Sequence, residues 1–135
     1  MNYILPLKYF FVMISMLLLT GVWMFVRHTS LSIAGTLSYY EGKSIFGLLE
    51  TVSPHLFGMA ILVFVLTHFF AIISGVEQQR FKLFSLLFFL CMLVANSSVF
   101  FIEEGSLFFV LLKLSSTFLF VGLSFFAMYK LLKVT

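Results

Sequence analysis

The sequence has few charged residues, and this shortage excludes several classes of protein. Asp, Glu, Lys and Arg make up 10% of the 135 residues, and hydrophobic residues make up 62%. Soluble domains carry about 25% charged residues, so an ordinary water-soluble domain is excluded. A disordered chain is excluded as well, because disorder requires low hydrophobicity and high charge. A chain of this length forms one domain, residues 1–135.

The chain also lacks the motifs on which many soluble enzymes depend. No phosphate-binding glycine loop, zinc-binding Cys/His spacing or serine-hydrolase motif is present. Cys91 is the one cysteine, which excludes an intramolecular disulfide and suggests a small buried hydrophobic residue. The net charge of +3 forms no basic stripe, so we expect no nucleic-acid partner. The sequence alone assigns no enzymatic activity.

Four long apolar runs predict an all-α integral membrane protein. A transmembrane helix needs about 20 mostly apolar residues. The runs cover residues 9–27, 54–75, 82–102 and 106–129. Only the fourth run has a charge in its interior, at Lys113. Because the runs do not alternate as barrel strands do, we expect a four-helix transmembrane bundle.

The distribution of Lys and Arg predicts the orientation of this bundle. Basic residues concentrate on the cytoplasmic side of membrane proteins. Two of them lie on one side, Arg27 at the end of the first span and Lys43 in the connector that follows. Five lie on the side of the chain ends: Lys8, Arg80, Lys82, Lys130 and Lys133. We therefore expect both termini in the cytoplasm, with the multi-pass chain in the inner membrane of a bacterium.

The connector between the first two spans is expected to hold a short amphipathic helix on the outer side. Apolar residues repeat there at helical spacing, at Ile45, Leu48, Leu49 and Val52. We interpret this helix as a cap on the bundle, with a lid over a site between the first two spans as the alternative. Ser53 and Pro54 then form a typical helix start, which places His55 in the first turn of the second span.

Two histidines at the outer ends of the first two spans are the main candidates for binding a cofactor. His28 ends the first span and His55 begins the second, so we expect their rings to approach each other. Met59 lies one turn after His55. A His28/His55 or a His55/Met59 pair can supply the axial ligands of a haem iron. The helix dipole at His55 favours the neutral ring that a metal requires. Histidines at these positions also suit the wet membrane interface without any ligand.

His68 lies deeper, about 20 Å below the outer end of its span at 1.5 Å per residue. The span resembles the haem-binding helices of b-type cytochromes, with His55 inside Pro54–Met59 and His68 inside Thr67–Phe70. Thirteen residues turn an ideal helix by about 220°, so the two rings lie on different faces. The resemblance therefore implies at most one haem per chain, unless a second chain supplies ligands. The other roles open to His68 are a hydrogen bond to a neighbour, a quinone contact or a proton relay.

Lys113 and Asn96 are the other polar residues expected at membrane depth. They lie at similar depths on consecutive helices, so we expect a hydrogen bond between them. The Lys113 ammonium can also reach Glu103 or Glu104 by snorkelling. As an alternative, it neutralises an anionic group such as a haem propionate, a quinone oxygen or a lipid head group.

Two functions agree with this pattern. The first is a small redox protein that binds one b-type haem through the histidines and passes electrons between quinol and a partner protein. The second is a non-catalytic accessory or assembly subunit of a larger, respiratory membrane complex. In that case the chain contacts lipid and either other subunits or further copies of itself through packing and a few polar side chains.

Overall fold

The computed structural model describes residues 4–73, 77–102 and 106–134. These residues form five α-helices and one short 3₁₀ helix: α1 (Ile4–Thr29), α2 (Ile33–Glu41), α3 (Ile45–Ile73), α4 (Gln78–Ser97), the 3₁₀ helix Ser98–Phe101, and α5 (Leu107–Val134). Four helical segments are long and apolar enough to cross a membrane: α1, α3, α4 with its 3₁₀ extension, and α5. The predicted four-helix transmembrane bundle is confirmed. Its even number of crossings puts both chain ends on the same side.

The helices α3, α4 and α5 form the centre of the bundle, and α1 lies at its edge. The helix α4 packs on both α3 and α5, whereas α1 packs chiefly on α2 and α5. The fully buried ring of Phe88 lies 5.2 Å from that of Phe120, which joins α4 to α5. Leu7 and Phe11 attach α1 to the same core. Lipid is as apolar as this interior, so close packing rather than hydrophobic burial holds these helices together.

The start of α3 differs from the prediction. The helix begins at Ile45, where the Ser44 hydroxyl accepts the backbone N–H of Gly47 at 3.2 Å. The segment predicted as a separate amphipathic helix therefore forms the first turns of α3. Pro54 lies inside the helix and removes one backbone hydrogen bond, which membrane helices tolerate. The prediction that His55 lies in the first turn is wrong, and the N-terminal dipole acts only within that turn.

The connector between the first two spans is helical, but its helix is α2. Ser32 caps α2 by accepting the backbone N–H of Gly35 at 2.9 Å. Just before it, Ser30 and Leu31 adopt left-handed φ angles of 51° and 49°, which turn the chain sharply after α1. Left-handed backbone is unfavourable for residues with a Cβ, so the surrounding contacts must hold this turn. As a result α2 folds back onto α1 and α5 and covers one end of the bundle.

The turn before α2 generates a stability prediction. A Cβ at Gly35 would clash with the carbonyl oxygen of Thr29, which is backbone and cannot swing away. We expect Gly35→Ala to lower the free energy of unfolding by about 1–3 kcal/mol, as overpacking does. Thermal unfolding in a mild detergent measures this change.

The matched control is Gly42→Ala. Gly42 has a helical φ of −76° and nothing within 4 Å of an added Cβ, so the substitution should be neutral or slightly stabilising. Equal loss of stability in the two variants would contradict the tight contact between α2 and the end of α1.

Candidate functional site

The most polar part of the interior lies at the end of α4. Ala95 is in the last turn of this helix, where backbone carbonyls run out of N–H partners within the helix. The ammonium of Lys113, which projects from α5, donates a hydrogen bond to the Ala95 carbonyl oxygen. A cation at this position also interacts favourably with the negative end of the helix dipole. Lys113 therefore caps the C-terminal end of α4 from a neighbouring helix.

Two aromatic rings enclose the same ammonium. Its nitrogen lies 5.9 Å from the ring centroid of Phe25 on α1 and 5.9 Å from that of Tyr40 on α2. Such cation–π contacts contribute about 0.5–1 kcal/mol at exposed sites and more where water is excluded. Lys113 thus contacts α1, α2 and α4 at once, and the α2 connector shelters it from one side.

Tyr40 meets Lys113 as a neutral ring. Its side chain is buried, and this burial, with a further contribution from the nearby Tyr39, raises the pKa of the Tyr40 phenol above its ordinary value. The phenol therefore stays protonated at physiological pH, so its contact with Lys113 is cation–π rather than an ion pair. Lys43 anchors the same connector: its ammonium lies 4.0 Å from the Tyr39 centroid and donates to the Thr51 hydroxyl at 3.2 Å.

Asn96 bonds to two groups close to Lys113 but does not bond to Lys113 itself. Its amide nitrogen donates to the Met92 carbonyl at 2.8 Å and to the Met59 sulfur at 3.3 Å. The similar depth of Asn96 and Lys113 was predicted correctly, whereas the expected hydrogen bond between them is replaced by one to the Ala95 carbonyl. Asn96 therefore links α4 to α3. The other partners predicted for Lys113, Glu103 and Glu104, lie outside the described residues.

The three histidines are exposed, and His55 lies close enough to Lys113 for the two side chains to interact electrostatically. The exposed ring of His28 stacks on Tyr39 with centroids 4.8 Å apart. His55 is exposed on α3, and His68 is exposed on the same helix beside Phe64. In the described part of the chain, His28 rests on α2 rather than on His55. The sulfur of Met59 is turned to Asn96.

The side chains that could bind a metal ion are also far from forming a cluster. Among the described residues, no three or more His, Cys, Asp or Glu side chains come together. Buried hydroxyls mostly bond within their own helix, as Thr67 does with the Val63 carbonyl at 2.7 Å. The hydroxyls of Ser85, Ser98 and Thr117 have no hydrogen-bond partner in the described part of the chain.

Sequence reasoning missed the residues that complete the cluster. Tyr40 belongs to α2, a helix that was not predicted although Ser32 is a favourable N-cap residue. The Ala95 carbonyl carries no signal in the sequence, because it is a backbone group. Phe25 looks like any other lipid-facing residue of α1.

One comparison with known proteins gives a match. The model of a family described as a transmembrane helical domain matches residues 30–134. The matched region contains α2, α3, α4 and α5, and α1 precedes it. No curated protein and no solved structure matches the chain.

The cap on α4 generates a prediction for local stability. Lys113→Met removes the charged donor and leaves the Ala95 carbonyl unsatisfied, and a hydrogen bond to a charged group contributes about 1.5–3 kcal/mol. We expect the amides of Ser98 and Val99 to exchange with deuterium at least about tenfold faster. Hydrogen exchange with mass spectrometry in detergent micelles measures this rate.

Lys130→Met is the matched control, because Lys130 is exposed near the end of the same helix. It should leave exchange at the end of α4 unchanged. Unchanged exchange in Lys113→Met would show that another group satisfies the Ala95 carbonyl.

Proposed function

The chain belongs to the family of transmembrane helical domains described by that model, and we propose that it is a non-catalytic accessory or assembly subunit of a larger membrane protein complex. The four apolar helices place it in the lipid bilayer as a multi-pass protein. The inner membrane of a bacterium and a respiratory complex are part of the proposal. The distribution of basic residues favours the first, and the polar side chains at membrane depth favour the second.

One observation supports this proposal most strongly: the chain uses its interior polar side chains for its own structure and leaves its imidazoles outside. Lys113 and Asn96, which are costly in a membrane, bond to backbone carbonyls and to Met59. His28, His55 and His68 are exposed instead. Chemistry at these rings therefore requires a second molecule at the protein surface.

The outer surface has the character of an association surface within lipid. In a bilayer no hydrophobic force drives helices together, so association depends on packing and on a few interhelical hydrogen bonds. An exposed imidazole beside a large aromatic side chain supplies both, as with His28 on Tyr39.

Purification from native membranes in a gentle detergent tests the subunit role. We expect the wild-type chain to migrate with a different membrane protein at fixed stoichiometry. At least one of the variants His28→Leu and His55→Leu should weaken that association, by roughly threefold or more if one interhelical hydrogen bond is lost. Thr20→Leu is the control, since the Thr20 hydroxyl is exposed and bonds only to carbonyls of its own helix.

Two results would overturn the subunit role. One is a wild-type chain that leaves native membranes free of any other protein. The other is a co-purifying protein whose amount is the same in both histidine variants and in Thr20→Leu.

The exposed imidazoles also favour the second candidate, a b-type haem protein that passes electrons between quinol and a partner. Within the chain, His28 already stacks on Tyr39, and the Met59 sulfur already accepts a hydrogen bond from Asn96. A haem on this chain would therefore take one axial ligand from another molecule, with His55 as our first choice on this side.

A visible spectrum tests the haem candidate. The complex, expressed with ample haem, should show a Soret band that His55→Ala removes and His28→Ala retains. Absence of the band from the wild-type complex would end this candidate. Loss of the band in His68→Ala, with His55→Ala unchanged, would assign the ligand to the other end of α3.

A further inference from the structure

His68 is a polar side chain left exposed at membrane depth. It belongs to the membrane-crossing part of α3, with apolar residues on both sides along the helix. In the described part of the chain its ring contacts only aromatic rings, with centroids 6.0 Å away at Phe64 and 6.2 Å away at Phe69. A polar group facing hydrocarbon without a partner is costly, so such residues almost always face protein or water.

His68 lies in a regular row of exposed residues. We call this row the α3 stripe, and it consists of Pro54, Phe57, Ile61, Phe64, His68 and Ala71. The spacing alternates between three and four residues, which is the heptad spacing of helices that pack side by side. Phe57 and Phe64 are 69% and 65% exposed, so no other part of the described chain covers the stripe. Exposed apolar residues alone would suit lipid, whereas the imidazole among them requires a partner.

We propose that a second copy of this chain covers the α3 stripe, and that the two His68 rings hydrogen-bond to each other. All copies insert with the same orientation, so two α3 helices pack in parallel around a two-fold axis along the membrane normal. In this arrangement each stripe residue lies opposite its own counterpart.

The chemistry of imidazole favours a second copy over another occupant. A neutral imidazole has one N–H donor and one acceptor nitrogen, so it complements an identical ring. A lysine or a carboxylate in the same place would repel its counterpart. A single polar residue in an apolar heptad row also fixes the register of paired helices. The second copy is a different molecule from the partner subunit proposed above, so the two proposals can fail separately.

Disulfide cross-linking in lipid vesicles tests the pairing directly. In a Cys91→Ala background, Phe57→Cys, Ile61→Cys and Phe64→Cys each put one cysteine on the stripe. A disulfide needs Cβ atoms about 4 Å apart, so only positions that face their own counterpart form dimers on oxidation. We expect all three to form cross-linked dimers. Leu90→Cys and Leu119→Cys are controls on exposed positions of α4 and α5 and should stay monomeric.

Substitution of His68 tests the hydrogen bond itself. Dissociation of the dimer is followed by energy transfer between labelled copies as lipid is added. We expect His68→Leu to weaken the dimer by roughly threefold to twentyfold, the range found for interhelical hydrogen bonds in membranes. His68→Asn keeps a donor and an acceptor and should retain most of the affinity. Thr20→Leu removes an exposed polar side chain on another helix and should change nothing.

Four results would overturn the pairing. These are a wild-type chain that is monomeric in vesicles, equal cross-linking at stripe and control positions, a His68→Leu dimer as tight as wild type, and a dimer that forms only when haem or another subunit is added. A failed pairing with an intact partner complex leaves the subunit role standing. A dimer that forms as expected, in a chain that has no partner complex, rejects the subunit role alone.

Discussion

The structure depends on how one backbone carbonyl is satisfied inside an apolar bundle. The carbonyl of Ala95 lies in the last turn of α4, and hydrocarbon offers it no water. The Lys113 ammonium supplies the donor, and the rings of Phe25 and Tyr40 enclose the charge. This one interaction therefore joins α5 to α4 and brings α1 and the α2 connector against the same group. At the surface, the three imidazoles remain exposed.

The sequence was sufficient to predict the features that follow from the free energy of transferring side chains and backbone from water into a membrane. Four uncharged runs of about 20 residues specify four spans, since each must bury its backbone polar groups within a helix. The similar depth of Lys113 and Asn96 could also be counted along the helices from the turn between them. Depth follows from the rise per residue and needs no knowledge of the fold.

Other features could not be predicted, because local signals compete or because backbone groups carry no signal. Both Ser44 and the pair Ser53–Pro54 are typical helix starts, and α3 uses the first, where the Ser44 hydroxyl accepts the Gly47 N–H. A proline inside a helix would be costly in water but is tolerated in a membrane bundle. The neighbours of each span were also hidden, because the order of the spans along the chain does not show that α1 packs on α2 and α5.

The distance between the Lys113 side-chain nitrogen and the Ala95 carbonyl carbon, in lipid bilayers, tests the central claim most directly. Solid-state NMR with nitrogen and carbon labels at these two positions measures it. The account predicts a separation of about 4 Å or less, as a hydrogen bond to the carbonyl oxygen requires. A nitrogen well beyond that distance, paired instead with a carboxylate or a lipid phosphate, would contradict it. Lys113 would then be a surface residue and not the cap on α4.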